Sequence, residues 1–127
     1  MNQKLSTLAN AELGVMEILW EELSVTARRI RERLYPDTSH AQHGTVQRLL
    51  QRLEEKGFVQ RHTEGSVLTF TALISKSEYA SSQLESLADK LTGGSLAPLI
   101  THFVEEKKIS KDEIRRLRSL LDNLTEE

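Results

Sequence analysis

Mainly α with a small β-hairpin is the fold class that the sequence predicts, and three observations predict it. Apolar residues recur at helical spacing between residues 10 and 56. Two β-prone segments joined by a turn-forming link follow, between residues 58 and 72. From residue 75 helical spacing returns, opened twice by a Ser-x-x-Glu sequence. Three helices and then a two-stranded hairpin is the order of a winged helix-turn-helix. The chain is therefore expected to divide into a winged-helix domain, 1–74, and a helical segment, 75–127.

The first helix is expected to start with Asn10 as its N-cap and Glu12 in its first turn, where an acid complements the helix dipole. Leu13, Met16, Leu19, Trp20 and Leu23 then share one face, with Trp20 in the core. After a break at Ser24–Val25, a second helix runs from Thr26 to about Leu34 with a thin apolar face of Ala27, Ile30 and Leu34. Pro36 cannot continue its hydrogen-bond ladder. The third helix spans about Ala41 to Lys56 and stops at Gly57. Val46, Leu49, Leu50 and Leu53 follow i, i+3, i+4, i+7 and form its buried stripe. At about 100° per residue, Gly44, Arg48, Gln51 and Glu55 point away from that stripe, with Thr45 and Arg52 on one flank and Gln47 on the other. Residues 58–62 and 67–72 are the strands of the hairpin, and Thr63-Glu64-Gly65-Ser66 is its turn.

Beyond residue 74, Ser75 and Glu78 form a capping box, and Leu84, Leu87 and Leu91 form a narrow stripe. Gly93-Gly94 breaks that helix, Ser95 is expected to cap the next, and Pro98 suits its first turn. Leu99, Ile100, Phe103 and Val104 are its apolar face. A second capping box, Ser110 with Glu113, opens a last helix carrying Ile114, Leu117, Leu121 and Leu124 at heptad-like spacing. Short helices with one-sided stripes make a poor core of their own, so pairing with a second copy is expected, through Leu84, Leu87, Leu91, Leu99, Phe103, Leu117, Leu121 and Leu124.

At 127 residues, 38% hydrophobic and 28% charged, the chain has the material for a folded core and does not read as disordered. No cysteine is present, which removes disulfides, thiolate catalysis and every Cys-based metal site. The first residues lack the grammar of a signal peptide, and no apolar run approaches about 18 residues, so a cytoplasmic chain without membrane contact is expected. The net charge of −2 hides a local excess of cations. Arg28, Arg29, Arg31 and Arg33 face only Glu32 in their segment, and Arg48, Arg52, Lys56 and Arg61 follow against Glu54 and Glu55, with His40, His43 and His62 besides. Concentrated positive charge in a near-neutral chain points to a polyanion.

Reading a DNA sequence takes a helix with hydrogen-bonding side chains on its exposed face and cations placed on phosphate. The third helix fits. Arg48 suits a guanine edge, Gln42 or Gln47 an adenine, and the Thr45 methyl a thymine, with His43 and Gln51 on the same surface. Arg52 on the helix flank and Arg61 with His62 on the wing are expected to hold phosphate. A three-histidine metal site from His40, His43 and His62 is conceivable, but no acidic residue is placed to complete or orient it, so no metal and no cofactor is expected. There is no HExxH, GxSxG, P-loop or glycine-rich dinucleotide turn, and Glu54-Glu55 and Glu105-Glu106 point about 100° apart on helices rather than forming an acid/base pair. An enzyme is not expected.

Two segments carry a family resemblance: Leu8-Ala-Asn-Ala-Glu-Leu-Gly-Val-Met-Glu-Ile-Leu-Trp20 and Thr45-Val-Gln-Arg-Leu-Leu-Gln-Arg-Leu-Glu-Glu-Lys-Gly-Phe-Val59. Gly93-Gly94-Ser95, Phe103-Val-Glu-Glu and Ser110-Lys-Asp-Glu-Ile-Arg-Arg-Leu add to it. From about Leu5 to Leu124 the chain resembles the penicillinase-repressor family of the BlaI/MecI type, which has a copper-responsive CopY branch. The resemblance implies a homodimeric transcriptional repressor on a palindromic operator, relieved in the β-lactamase branch by a regulatory protease that cuts the dimerisation segment. The matching bond there is Asn-Phe, whereas this chain has His102-Phe103. The copper branch senses through C-terminal cysteines, which this chain lacks. Gly44 and Gln47 also depart from the β-lactam regulators, so a different operator is expected. The competing expectation is an adaptor that keeps the winged helix for protein contacts.

Overall fold

A computed structural model describes residues 5–37 and 42–125. The elements are α1 (Asn10–Glu22), β1 (Ser24–Val25), α2 (Ala27–Leu34), α3 (His43–Glu55), β2 (Val59–Glu64), β3 (Val67–Ala72), α4 (Lys76–Thr92), α5 (Ala97–Glu105) and α6 (Lys111–Thr125). The class is mainly helical with a small antiparallel sheet, as expected, but the sheet has three strands in the order β1-β3-β2. The expected break at Ser24–Val25 is the extra strand: Ser24 pairs with Thr71 and Val25 with Phe70.

The N-cap of α1 lies one residue earlier than expected. Ala9 holds the N-cap position, and its N–H donates to Glu12 Oε1 at 2.8 Å, so a side chain from within the helix caps it. The helix ends at Leu23, whose φ of 70° turns the chain into β1. That turn sends Leu23 into solvent, 72% exposed, rather than onto the apolar face where the spacing put it. Thr26 caps α2 by accepting the Arg29 N–H at 3.1 Å.

α3 buries the expected stripe, Val46, Leu49, Leu50 and Leu53. Its expected first residue, Ala41, lies outside the described residues, and Gln42 stands at the N-cap position. At its C-terminus Gly57 takes φ 83°, which lets Phe58 N–H reach back to the Leu53 carbonyl at 2.8 Å and carries the chain into the wing. In the wing, Val59 pairs with Ala72, Arg61 with Phe70, and Glu64 with Val67, so the turn is tighter than the four residues expected.

Phe58, Met16, Leu19, Ile30, Leu50, Leu53, Val15 and Val46 are the fully buried centre of this unit. Trp20 sits at its edge, half-buried, with its indole N–H donating to the Ile74 carbonyl at 2.9 Å. The first turns of α4 belong to the same unit, which ends at Gln83 rather than at residue 74. Tyr79 packs edge-on against Phe58, with ring centroids 5.8 Å apart, and its hydroxyl accepts the Leu8 N–H at 2.9 Å. Ser82 Oγ accepts the Leu5 N–H at 2.8 Å.

The second unit is Leu84–Glu127. Ser75 and Glu78 make their capping box at 3.0 Å each way at the head of α4, and Ser110 with Glu113 opens α6 in the same manner. Gly93 and Gly94, both at positive φ, end α4. Ser95 does not cap α5. Its carbonyl is turned toward the Thr92 hydroxyl and Leu96 takes the N-cap position without a side-chain bond, with Pro98 in the first turn as expected. No residue of α5 is buried. Among the described residues, no helix is long and apolar enough to cross a membrane.

Candidate nucleic-acid interface

The buried stripe of α3 fixes which side chains face outward. His43, Gln47, Arg48, Gln51 and Arg52 are exposed, while Gln42 and Thr45 are half-buried at the start of the helix. Gln47 Nε2 and His43 Nε2, one helical turn apart, lie 3.1 Å from each other, and Gln51 Nε2 donates to Glu55 Oε1 at 3.4 Å. Arg48 and Arg52 make no hydrogen bond or ion pair among the described residues, leaving two guanidinium groups of the helix available to a ligand.

The arginines of α2 are differently used. Arg29 Nε lies 3.0 Å from Glu22 Oε1, and Arg33 Nη1 lies 2.8 Å from Glu21 Oε2 and 3.0 Å from Glu22 Oε2. Arg29 first, then Arg33, holds the Glu22 carboxyl below the usual carboxylate range, against the opposing pull of desolvation. These pairs fasten α2 to the end of α1, so much of the cationic excess read from the sequence is neutralised within the fold. Arg31 is buried, and Arg28 is exposed without a partner among the described residues.

The wing separates two residues that the sequence suggested as a phosphate-holding pair. Neighbours along a strand point to opposite faces. Arg61 stands on the face of β2 with Val59, directly across from Phe70, and its guanidinium carbon lies 5.7 Å from the Phe70 ring centre. It is also paired with Glu54 of α3, with Nη2 at 2.6 Å and Nε at 3.0 Å from the carboxylate oxygens. His62 faces the other way and bonds Thr71 Oγ1 at 3.2 Å. Between α3 and the wing runs an open groove of about 300 Å³, with Gln47, Gln51 and Arg61 on its rim and Leu50, Leu68 and Phe70 beneath.

His43 and His62 thus have different partners, and His40 lies outside the described residues. Among the described residues no three histidine, aspartate or glutamate side chains gather into a potential metal shell.

One buried carboxylate, which periodicity does not reveal as special, supports α3 from behind. Glu12 is 2% exposed, and both its oxygens lie 2.9 Å from Lys56 Nζ, just past the end of α3. Burial pushes the Glu12 carboxyl up, but the Ala9 N–H and the Lys56 ammonium, helped by the field of Arg52, more than offset it and leave it below its ordinary range.

Residues 8–123 match the penicillinase repressor family. The chain belongs to that family. It is 30% identical over 120 residues to the penicillinase repressor of Bacillus licheniformis, a match covering 94% of this chain and 93% of that one. It is 28% identical over 122 residues to the methicillin resistance regulatory protein MecI of Mammaliicoccus sciuri, covering 96% and 98% of the two chains. Among solved structures it resembles the monomeric form of Bacillus licheniformis BlaI in complex with the blaP half-operator. That similarity has a TM-score of 0.50 at 34% identity and covers 60% of this chain and 92% of the other.

Proposed function

We propose that the chain is a transcriptional repressor that binds a palindromic operator as a homodimer. The observation that carries this reading is the outer face of α3, where Arg48, Gln47 and Gln51 stand exposed on a helix whose opposite side is locked into the core. Membership of a repressor family and likeness to BlaI in its half-operator complex support the DNA-binding part of this reading. Arg48 is assigned to base edges, together with Gln42, Gln47, Thr45 and Gln51. Arg52, Arg61 and the two histidines, His43 and His62, are assigned to the sugar–phosphate backbone.

The dimer is assigned to the second unit. Leu84, Leu87, Leu91, Phe103, Leu117, Leu121 and Leu124 are exposed, at 41–67%, and Leu99 is half-buried. Burying a large apolar side chain stabilises by about 1.5–3 kcal/mol as an upper figure, so a second copy covering this surface has ample driving force. Relief of repression would follow from cutting the second unit, and His102-Phe103, exposed in α5, is the candidate bond for a regulatory protease. The division of labour is therefore DNA contact by residues up to about Gln83 and dimerisation by those beyond.

Selection of bound sequences from random duplex DNA tests the reading. An inverted repeat with half-sites about one helical turn apart, or a multiple of it, is the expected result. Recovery of no preferred sequence would overturn it in favour of an adaptor working through protein contacts.

A further inference from the structure

The one cation of the wing that faces the reading helix is already occupied. Arg61 presents Nε and Nη2 side by side to the Glu54 carboxylate, at 3.0 and 2.6 Å. A guanidinium offers a backbone phosphate the same planar fork. Phe70, beneath the guanidinium at 5.7 Å, holds the plane of that fork in place. Glu54 sits in the last turn of α3, 26% exposed, and Arg61 is 55% exposed on the groove rim beside Gln47 and Gln51. The pair therefore borders the surface assigned to DNA. Exposed ion pairs of this kind are worth little net, because water solvates each partner well once they separate. Exchange of one oxyanion for another is cheap here.

We propose that Glu54 is a positioning residue for DNA binding, an internal stand-in for phosphate that keeps Arg61 parked against α3 until a backbone phosphate displaces it. This rests on the DNA-binding reading above. In the free protein the carboxylate cancels the charge of the wing and fixes its fork in a receptive orientation. On DNA the guanidinium passes to phosphate, and the carboxylate, already a quarter open to water, is hydrated. The cost of that exchange sets how tightly the chain holds any duplex, without touching base preference. Glu55 is adjacent in sequence but about 100° around the helix and bonded to Gln51, so it has no such role.

The test is a double-mutant cycle on the full chain, with a random-sequence duplex as probe and binding measured across a salt series. Glu54→Gln is expected to bind roughly two- to fivefold tighter. Its salt slope should match the parent's, since Arg61 reaches the same phosphate in both, whereas Arg61→Ala should flatten the slope by about 0.9 for each chain bound. Glu54→Ala should gain alike, and thermal melting checks that both variants remain folded. Arg61→Ala should bind more weakly, and Glu54→Gln placed on the Arg61→Ala background should gain nothing. A pure brace between wing and helix predicts the reverse: both Glu54 variants would bind more weakly. That result overturns the proposal, and so does a gain that persists without Arg61, which would mark simple removal of negative charge. A parent chain that shows no salt-dependent binding overturns the DNA-binding reading itself, and this proposal falls with it.

Discussion

Lys56 Nζ lies 2.9 Å from each carboxylate oxygen of Glu12, tying the first turn of α1 to the end of α3. Glu12 is buried, whereas the Lys56 side chain keeps 32% of its surface in water. Glu12 also caps its own helix through the Ala9 N–H. One carboxylate therefore caps α1 and tethers the residue that ends α3.

Glu12→Gln should destabilise the first unit by about 1–3 kcal/mol, the range for losing a hydrogen bond to a charged group. The folded carboxyl lies below its ordinary value near 4.3, so its contribution is complete above that pH and vanishes as pH falls through the lower folded value. Urea melts of both proteins between pH 3 and 6 give the comparison. The gap between parent and variant should narrow as pH falls below the ordinary carboxylate value and through the lower folded one. A gap that stays constant across that range would show that the lost contact is steric rather than ionic.

Arg48→Ala should weaken operator binding by about 1–3 kcal/mol and relax preference at one position per half-site. Arg52→Ala should weaken operator and random DNA alike and flatten the salt slope. The contrast rests on position: Arg48 points straight out of the buried stripe, and Arg52 lies on its flank. Equal losses for operator and random DNA on Arg48→Ala would show that it holds phosphate instead.

Most of the helical layout was legible because a 3.6-residue period survives in the sequence. Val46, Leu49, Leu50 and Leu53 announce their burial directly. β1 was not legible, since two residues carry no period and their strand character comes only from Phe70 and Thr71 alongside. Nor was the pairing of Arg29 and Arg33 with Glu21 and Glu22, which depends on α1 and α2 packing side by side. The opposite facing of Arg61 and His62 was available from strand alternation alone. The partner of Arg61 was not, because Glu54 lies on another element and only the turn at Gly57 brings the two together.

Residues 1–83 should fold as an independent unit, and residues 1–74 should melt at a clearly lower temperature. The shorter fragment lacks the Tyr79 ring against Phe58 and the acceptors for the Leu5 and Leu8 N–H groups. In the full chain, Tyr79→Phe isolates the hydroxyl's share and should cost about 1–2 kcal/mol. Fragments of equal stability would show that α4 contributes nothing to the first unit.

DNA binding should survive exhaustive chelation. His43 is engaged with Gln47, and His62 bonds Thr71 on the far face of the hairpin from Arg61, so the two do not converge on one ion. Binding lost in chelator and restored by zinc would revive a histidine site that includes His40.

Operator affinity should depend on the second unit although that unit carries none of the assigned base contacts. Two reading helices joined through a dimer bind a palindrome with the second half-site engaged at high effective concentration, which multiplies affinity without adding a contact. Leu121 and Leu124 are 60% and 67% exposed on α6, and both belong to the surface assigned to the partner copy. Leu121→Asp places a charge that would have to be desolvated on association, and it leaves the first unit untouched. Sedimentation should then show a monomer where the parent is a dimer at micromolar concentration. Affinity for a single half-site should be unchanged, while affinity for the full palindrome should fall by on the order of 100-fold. A cut at His102-Phe103 should have the same two consequences, because it separates α6 and part of α5 from the first unit. A parent chain that sediments as a monomer, or a Leu121→Asp chain that holds the palindrome as tightly as the parent, would refute the assignment.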